Sequence, residues 1–195
     1  MFRADLANFT PLETERLLIR PLTLADAQDI YQISSDDAVS RYVLWDTHRS
    51  IADSRAFIKQ TLRQYRMGEP SSWAIQSKET GRVIGTIGFV SLSREHACAE
   101  VGYSLGRPHW NRGYATEALR CLISYGMETM HLNRIEALYD LNNPASGRVM
   151  QKAGMLREGV LRQKVYNKGH YVDVCICSIL SREYRTRKAQ RAVAP

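Results

Sequence analysis

Along this chain the spacing of apolar residues switches repeatedly between the two-residue period of strands and the three-to-four-residue period of helices. ERLLIRPL reads as a first strand. Thr23 stands three residues before Asp26, the spacing of a capping box, so a helix is predicted from near Leu24 through DAQDIYQIS. Ser50 and Asp53 repeat that spacing ahead of Phe57, Ile58, Leu62 and Tyr65, which predicts another helix ending near Gly68. SSWAIQSKETGRVIGTIGFVSL gives two β-rich runs around KETGR, where Gly81 suits the positive φ of a hairpin turn. CAEVGYSL alternates as the next strand, and together these runs predict an antiparallel meander.

The clearest helical signal follows, with Ala115, Ala118, Leu119, Leu122, Ile123, Gly126, Met127 and Met130 recurring at steps of three and four. RIEALYD reads as a short strand, and NPASGRVMQKAG as a short helix with Pro144 in its first turn and Gly154 past its end. LREGVLRQKVY and YVDVCICSIL close the chain as a β pair.

A length of 195 residues with 44% hydrophobic content suits one buried core, so a single domain is expected over residues 1–185, followed by a basic tail at 186–195. No apolar run suits a signal peptide or the ~20 residues of a membrane span, which predicts a cytoplasmic protein without membrane contact. Cys98, Cys121, Cys175 and Cys177 lack CxxC spacing and read as free buried thiols. The five histidines also lack metal-ligand spacing, so no metal is expected. The net charge of +7 implies attraction to polyanions such as nucleic acid, a ribosome surface or a phosphate-rich cofactor. Part of that charge lies in the tail, where Arg182, Arg185, Arg187, Lys188 and Arg191 face only Glu183; a solvated, partly frayed terminus is the expectation rather than an RNA-binding arm.

The stretch WNRGYATEA carries the first chemical signal, because a glycine turn that opens a helix leaves unpaired N–H groups at its positive end. Such a turn is either plain packaging or a nest for pyrophosphate. Gly113 would let the backbone approach a phosphate, Ala115 keeps the next turn small, and Arg107 and Arg112 add positive charge. G-x-G-x-x-G is absent and no Gly-Lys-Ser/Thr follows, so neither the dinucleotide fingerprint nor the P-loop fits.

The ordered set ETERLLIRPL, VIGTIGF, AEVGYSL, WNRGYATEA, NNPASGRVMQKAG and LREGVLR resembles the GNAT acetyltransferases over nearly the whole chain, in particular the branch that acetylates ribosomal-protein N-termini. The resemblance implies an α+β fold with a central mixed, splayed, mainly antiparallel sheet flanked by helices. It implies acetyl-CoA between the fourth and fifth strands as the acetyl donor, with no metal. The family's loop is written Q/R-x-x-G-x-G/A; Trp110-Asn111-Arg112-Gly113-Tyr114-Ala115 fits its last two fixed positions and departs at Trp110. Backbone amides from Arg112 through Thr116 are then the pyrophosphate contacts. Asn143 and Ser146 match the residues near the pantetheine arm and sulfur, although Asn143 also suits an ordinary helix N-cap.

Acetyl transfer needs a neutral amine, a polarised thioester carbonyl and a proton for the leaving thiolate. The resemblance implies that amides of the splayed strand near Tyr103 to Leu105 polarise the carbonyl, and that Val101, Gly102, Tyr103 and Leu105 contact the cofactor. Glu100 on that strand is the candidate base through water, or else a plain surface or salt-bridged glutamate. Many family members place a tyrosine acid seven residues after the asparagine, where this chain has Met150, which leaves Ser146, a water or Tyr103 to carry the proton. Tyr31, Tyr42, Trp45 and Trp73 fall in or near segments that line the acceptor groove of this fold, where packing is the competing role.

An α-amine of pKa ~8 is far more often neutral near pH 7 than a lysine of ~10.4. With one candidate base and scattered carboxylates, the expected acceptor is a protein or peptide N-terminus, with possible ribosome association. The alternatives are a small-molecule amine acetyltransferase for a polyamine, antibiotic or amino acid, and a catalytically silent acyl-CoA sensor or ribosome-associated module. Monomer and homodimer stay open.

Overall fold

The computed structural model describes residues 9–193, with the backbone alone for residues 191–193. The chain runs β1 (Leu12–Glu13), β2 (Leu17–Arg20), α1 (Ala27–Ser34), α2 (Asp37–Ser40), α3 (Ile51–Met67), β3 (Ser72–Ser77), β4 (Val83–Ser93) and β5 (Cys98–Leu105). It continues with α4 (Tyr114–Glu128), β6 (Arg134–Asp140), α5 (Pro144–Ala153), β7 (Leu156–Asn167), β8 (His170–Leu180) and α6 (Ser181–Val193). The strands form one eight-stranded sheet in the order β1-β2-β3-β4-β5-β6-β8-β7. All neighbours are antiparallel except β5 and β6, so the sheet is mixed and mainly antiparallel, as expected.

Strand alternation sorts the core into two layers. Leu17, Ile19, Trp73, Ile75, Ala99 and Val101 face one side, where Leu119, Leu122 and Ile123 of α4 and Met150 of α5 cover them. Ala74 and Val83 face the other side, under Ile30 and Ile33 of α1 and Ile58 of α3. Cys175 and Cys177 are both buried in the first layer. The sheet is therefore covered by helices on both faces.

Local signals placed most boundaries. The Ser50–Asp53 capping box opens α3 and Gly68, at φ +65°, closes it. The Thr23–Asp26 box instead caps a single 3-10 turn at Leu24–Asp26, and α1 starts only at Ala27. There the Arg20 guanidinium grips the Asp26 carboxylate at 2.8 and 2.9 Å, so the capping residue also ties the turn to β2. Strand β1 and helix α2 were not anticipated. With β1 included, the strands that the resemblance numbers fourth and fifth are β5 and β6.

The basic tail also differs from expectation, because α6 is helical and docked rather than frayed. The Tyr184 hydroxyl donates to Ser124 Oγ at 3.0 Å, Lys188 pairs with Glu128 at 2.5 Å, and Arg187 donates to the Gly154 carbonyl. Two of the charges that looked solvated, together with Tyr184, thus hold the helix against the end of α4 and the turn after α5. The Arg191 side chain lies outside the described residues.

Candidate active site

The sheet splits at one place. β5 and β6 pair in parallel only at Cys98↔Arg134, Ala99↔Ile135 and Glu100↔Glu136. Beyond that point Tyr103 and Leu105 pair with β4 alone, while Ala137 to Asp140 pair with β8. The gap opens into a cavity of about 470 Å³ that reaches both faces of the sheet. Of the predicted residues, Glu100, Val101, Gly102, Tyr103, Asn143 and Ser146 line it. Leu105, the last residue of β5, and Arg107, Trp110 and the residues Asn111 to Thr116 beyond it lie outside the lining.

That turn has the form of an anion nest. Asn111 and Gly113 both have positive φ, +59° and +83°, the left-handed conformation that glycine adopts without strain. The first helical bond of α4 runs from Glu117 N–H to the Gly113 carbonyl, and no side chain caps the helix. The N–H groups of Arg112, Gly113, Tyr114, Ala115 and Thr116 donate to no protein acceptor among the described residues. These residues fit a pyrophosphate, whose oxygens need donors and the positive end of a helix dipole. Trp110 anchors the turn: its indole Nε1–H donates to the Leu105 carbonyl at 2.6 Å, joining the turn to the last residue of β5. Arg107 does not supply a free charge to the nest, because it pairs with Asp36 at 2.8 Å. Arg112 is exposed beside the turn.

Inside the cavity the chemistry divides between the faces of β5. Tyr103 packs with the layer under α4 and α5, whereas Glu100, of opposite parity, faces the α3 side. Both reach one space because the split joins the faces. Burial raises the Glu100 pKa, the facing Glu136 carboxylate adds to the rise, and Lys164 opposes it. Glu100 has no ion pair or hydrogen bond through its carboxylate among the described residues, which leaves it free to accept a proton. The Tyr103 hydroxyl lies 2.9 Å from Ser146 Oγ and 3.0 Å from the Ser146 carbonyl. Burial pushes the Tyr103 pKa well above the usual phenol value, against the opposing bond to Ser146. Asn143 is the N-cap of α5, where its side chain accepts from Ser146 N–H at 3.3 Å, and it also borders the cavity. Met150 is buried at the cavity wall and carries no titratable group.

An uncapped glycine turn beside a parallel-strand split, on a mixed sheet, finds its counterpart among known acetyltransferases. Residues 16–156 match the model of the acetyltransferase (GNAT) domain. The chain belongs to the GNAT acetyltransferase family. The uncharacterized N-acetyltransferase YoaA of Bacillus subtilis is 37% identical over 88% of this chain and 97% of its own. The ribosomal protein uS5-alanine N-acetyltransferase of Escherichia coli is 25% identical over 89% of this chain and 92% of its own. The crystal structure of a GNAT-family acetyltransferase from Bacillus anthracis superposes with a TM-score of 0.80, at 29% identity, covering 89% of this chain and 99% of that one. As a GNAT member, the protein is an acetyl-CoA-dependent N-acetyltransferase, and its open turn and split sheet suit that donor.

Several residues that shape the GNAT site carried no sequence signal. Ser71 and Asn167 are each 6% exposed and line the cavity, and Ser71 Oγ and Asn167 Oδ1 are buried without a hydrogen-bond partner among the described residues. Lys168, in the β7–β8 turn, donates to the Ser40 and Val43 carbonyls and bridges the turn to the segment carrying Tyr42 and Trp45. Tyr42 and Trp45 line the cavity. Trp73 is instead fully buried, stacked on Phe9 at 4.0 Å, and Tyr31 lies outside the lining. Arg16 and Glu117 sit beneath the glycine turn. Glu117 stood within WNRGYATEA as an acidic residue in the first helical turn, and that was its only signal.

Proposed function

We propose that the acceptor is the α-amine of a protein or peptide N-terminus, acetylated by direct attack on the bound thioester. The observation that carries this reading is the charge content of the cavity. Among the described residues, Glu100 and Asp140 are its only acidic lining residues, and none of the lining is lysine or arginine. Asn142 donates to Oδ1 of Asp140 through its backbone N–H at 2.8 Å and its side chain at 3.0 Å, so Glu100 is the lining carboxylate with no hydrogen-bond donor on it among the described residues.

A polyamine or aminoglycoside carries several ammonium groups, and beyond Glu100 the lining offers them only Asp140, already hydrogen-bonded at one oxygen. A free amino acid brings a carboxylate, and no lining cation meets it. A peptide N-terminus brings one amine followed by neutral amides. Those amides match uncharged groups such as Asn167, Ser71, Gln60 and Gln64, with Tyr42, Trp45 and Phe57 as apolar walls. The Escherichia coli relative, named a ribosomal protein uS5-alanine N-acetyltransferase, supports a protein acceptor.

In this mechanism Glu100 takes the proton of the attacking amine, directly or through water. The amides of β5 face the carbonyl, and Tyr103 with Ser146 passes a proton to the departing thiolate on the opposite face. The test is thiol release with acetyl-CoA against peptides starting with Ala, Ser or Met, free amino acids, spermidine and an aminoglycoside. At least one peptide is expected to exceed every other class in kcat/KM by tenfold or more, about 1.4 kcal/mol in transition-state binding. Faster turnover of a polyamine or a free amino acid refutes the assignment.

A further inference from the structure

The glycine turn is held from below by residues far away in sequence. Glu117, in the first turn of α4, accepts from Thr14 Oγ1 at 2.6 Å and from the Arg16 N–H at 3.0 Å. Its other oxygen accepts from Arg16 Nε at 2.7 Å and from the guanidinium terminus at 2.6 Å, a two-pronged pair. Burial works against the ionised carboxylate, but these bonds outweigh it and hold the Glu117 pKa below its usual value. The remaining arm of Arg16 donates to the Arg112 carbonyl at 3.0 Å, and the guanidinium lies 4.4 Å from the centre of the Tyr114 ring. A Cβ built on Gly113 would come within 3.3 Å of the same guanidinium.

The direction of the Arg112 carbonyl matters because a trans peptide holds C=O and the following N–H antiparallel. With that carbonyl turned down onto Arg16, the Gly113 N–H must point away from Arg16, to the opposite side of the turn. Glu117 neutralises the charge of Arg16, and three of its five N–H donors already serve Glu117 and the Arg112 carbonyl, so its part is to hold the turn. Lysine cannot repeat this, because one ammonium lacks the planar fork that reaches carboxylate and carbonyl together.

We propose that Arg16, set by Glu117, is a positioning residue that presets the Arg112–Gly113 peptide for the pyrophosphate of the acetyl donor. This rests on pyrophosphate binding at residues 112–116. Two donors separate the parts: acetyl-CoA carries the pyrophosphate and acetyl-pantetheine lacks it. Arg16→Met is expected to raise KM for acetyl-CoA about tenfold, leaving KM for acetyl-pantetheine and kcat with either donor within twofold of the parent. Arg16→Lys keeps the charge but is expected to show at least half of that rise in KM for acetyl-CoA on a logarithmic scale.

Full recovery of KM in Arg16→Lys would show plain charge attraction, and equal rises for both donors would show general damage; either result overturns the proposal. Should Arg16→Met fail to fold, Glu117→Gln is expected to shift KM the same way by a few fold, and no donor-selective shift there overturns it equally. Gly113→Glu distinguishes the premise. If that variant binds acetyl-CoA normally, the assignment of the turn is wrong. If it loses binding while Arg16→Met does not, only the role of Arg16 fails.

Discussion

Replacing Tyr103 with phenylalanine removes one oxygen and leaves the ring in place, which isolates the hydroxyl that contacts Ser146 Oγ at 2.9 Å and the Ser146 carbonyl at 3.0 Å. A neutral hydrogen bond contributes a net ~0.5–1.5 kcal/mol, so the two together account for about 1–3 kcal/mol of stability. For a chain of this size, each kcal/mol corresponds to roughly 2–4 °C in Tm. If the hydroxyl is only a strut, the cost stops there, because a protein stable by about 5–15 kcal/mol stays folded and keeps its kcat.

If the hydroxyl and Ser146 form the proton route, kcat falls as well. Loss of a positioned acid costs roughly 10²–10⁴ in rate, and a leaving thiol of pKa near 8.5 needs little help, which favours the lower end. The deficit also has a sign in pH: it is largest where the thiolate most needs its proton, and it shrinks as pH rises past about 9. Thiol release at saturating donor, from about pH 6.5 to 9.5, measures both the size and the trend. A kcat within threefold of the parent at neutral pH, alongside a lowered Tm, refutes the proton route and leaves Tyr103 as packing. A large deficit that does not change with pH refutes it too.

Other perturbations test the neighbouring parts. Because burial and Glu136 raise the Glu100 pKa, the base should protonate above the usual carboxylate value, steepening the acid limb of log kcat/KM. Glu100→Gln should lower the rate by about 10²–10⁴ and remove that extra slope; an unchanged acid limb would assign the base elsewhere. Trp110→Phe deletes the 2.6 Å bond to the Leu105 carbonyl and is expected to cost about 1 kcal/mol in chemical denaturation while raising KM for acetyl-CoA a few fold. An unaltered KM would separate Trp110 from the turn. Asn167→Leu replaces an amide whose buried Oδ1 has no partner among the described residues and is expected to raise Tm while raising peptide KM by about tenfold, if that oxygen meets the substrate as proposed. A raised Tm with unaltered peptide KM would remove Asn167 from acceptor recognition.

What the sequence made legible was whatever a few neighbouring residues decide among themselves. The Ser50–Asp53 box, Gly68 and Gly81 act within one turn, and the split strand and glycine turn carried recognisable local patterns. Strand β1 is two residues long and has too little pattern to read, and α6 looked frayed because its charges find partners only in other elements. Thr23 and Asp26 kept their capping contacts, but the grip of Arg20 on Asp26 belongs to the tertiary structure. The gap at Met150 was visible as a missing tyrosine. The pairing of Tyr103 with Ser146 spans 43 residues, and that of Arg16 with Glu117 spans 101, so spacing along the chain could not reveal either.

These distant pairs share a cause in the split itself. Where β5 and β6 stop pairing after Glu100, the edges facing the gap lose the ladder that fixes neighbouring strands, so other contacts must hold the two halves in register. Tyr103 to Ser146 joins β5 to α5, directly behind β6, across the widening gap. Trp110 secures the free end of β5, and Arg16 with Glu117 fixes the turn to the start of β2, on the continuous part of the sheet. Each brace therefore sits beside a group that the proposed chemistry uses: the proton route, the strand amides and the phosphate nest. Cutting one brace should disturb its own step before it unfolds the chain. Tyr103→Phe should thus act on kcat and Arg16→Met on donor KM, and the double variant should combine both losses close to additively, because the sites share no contact. Strong non-additivity would mean that the split moves as one unit and that the braces do not act separately.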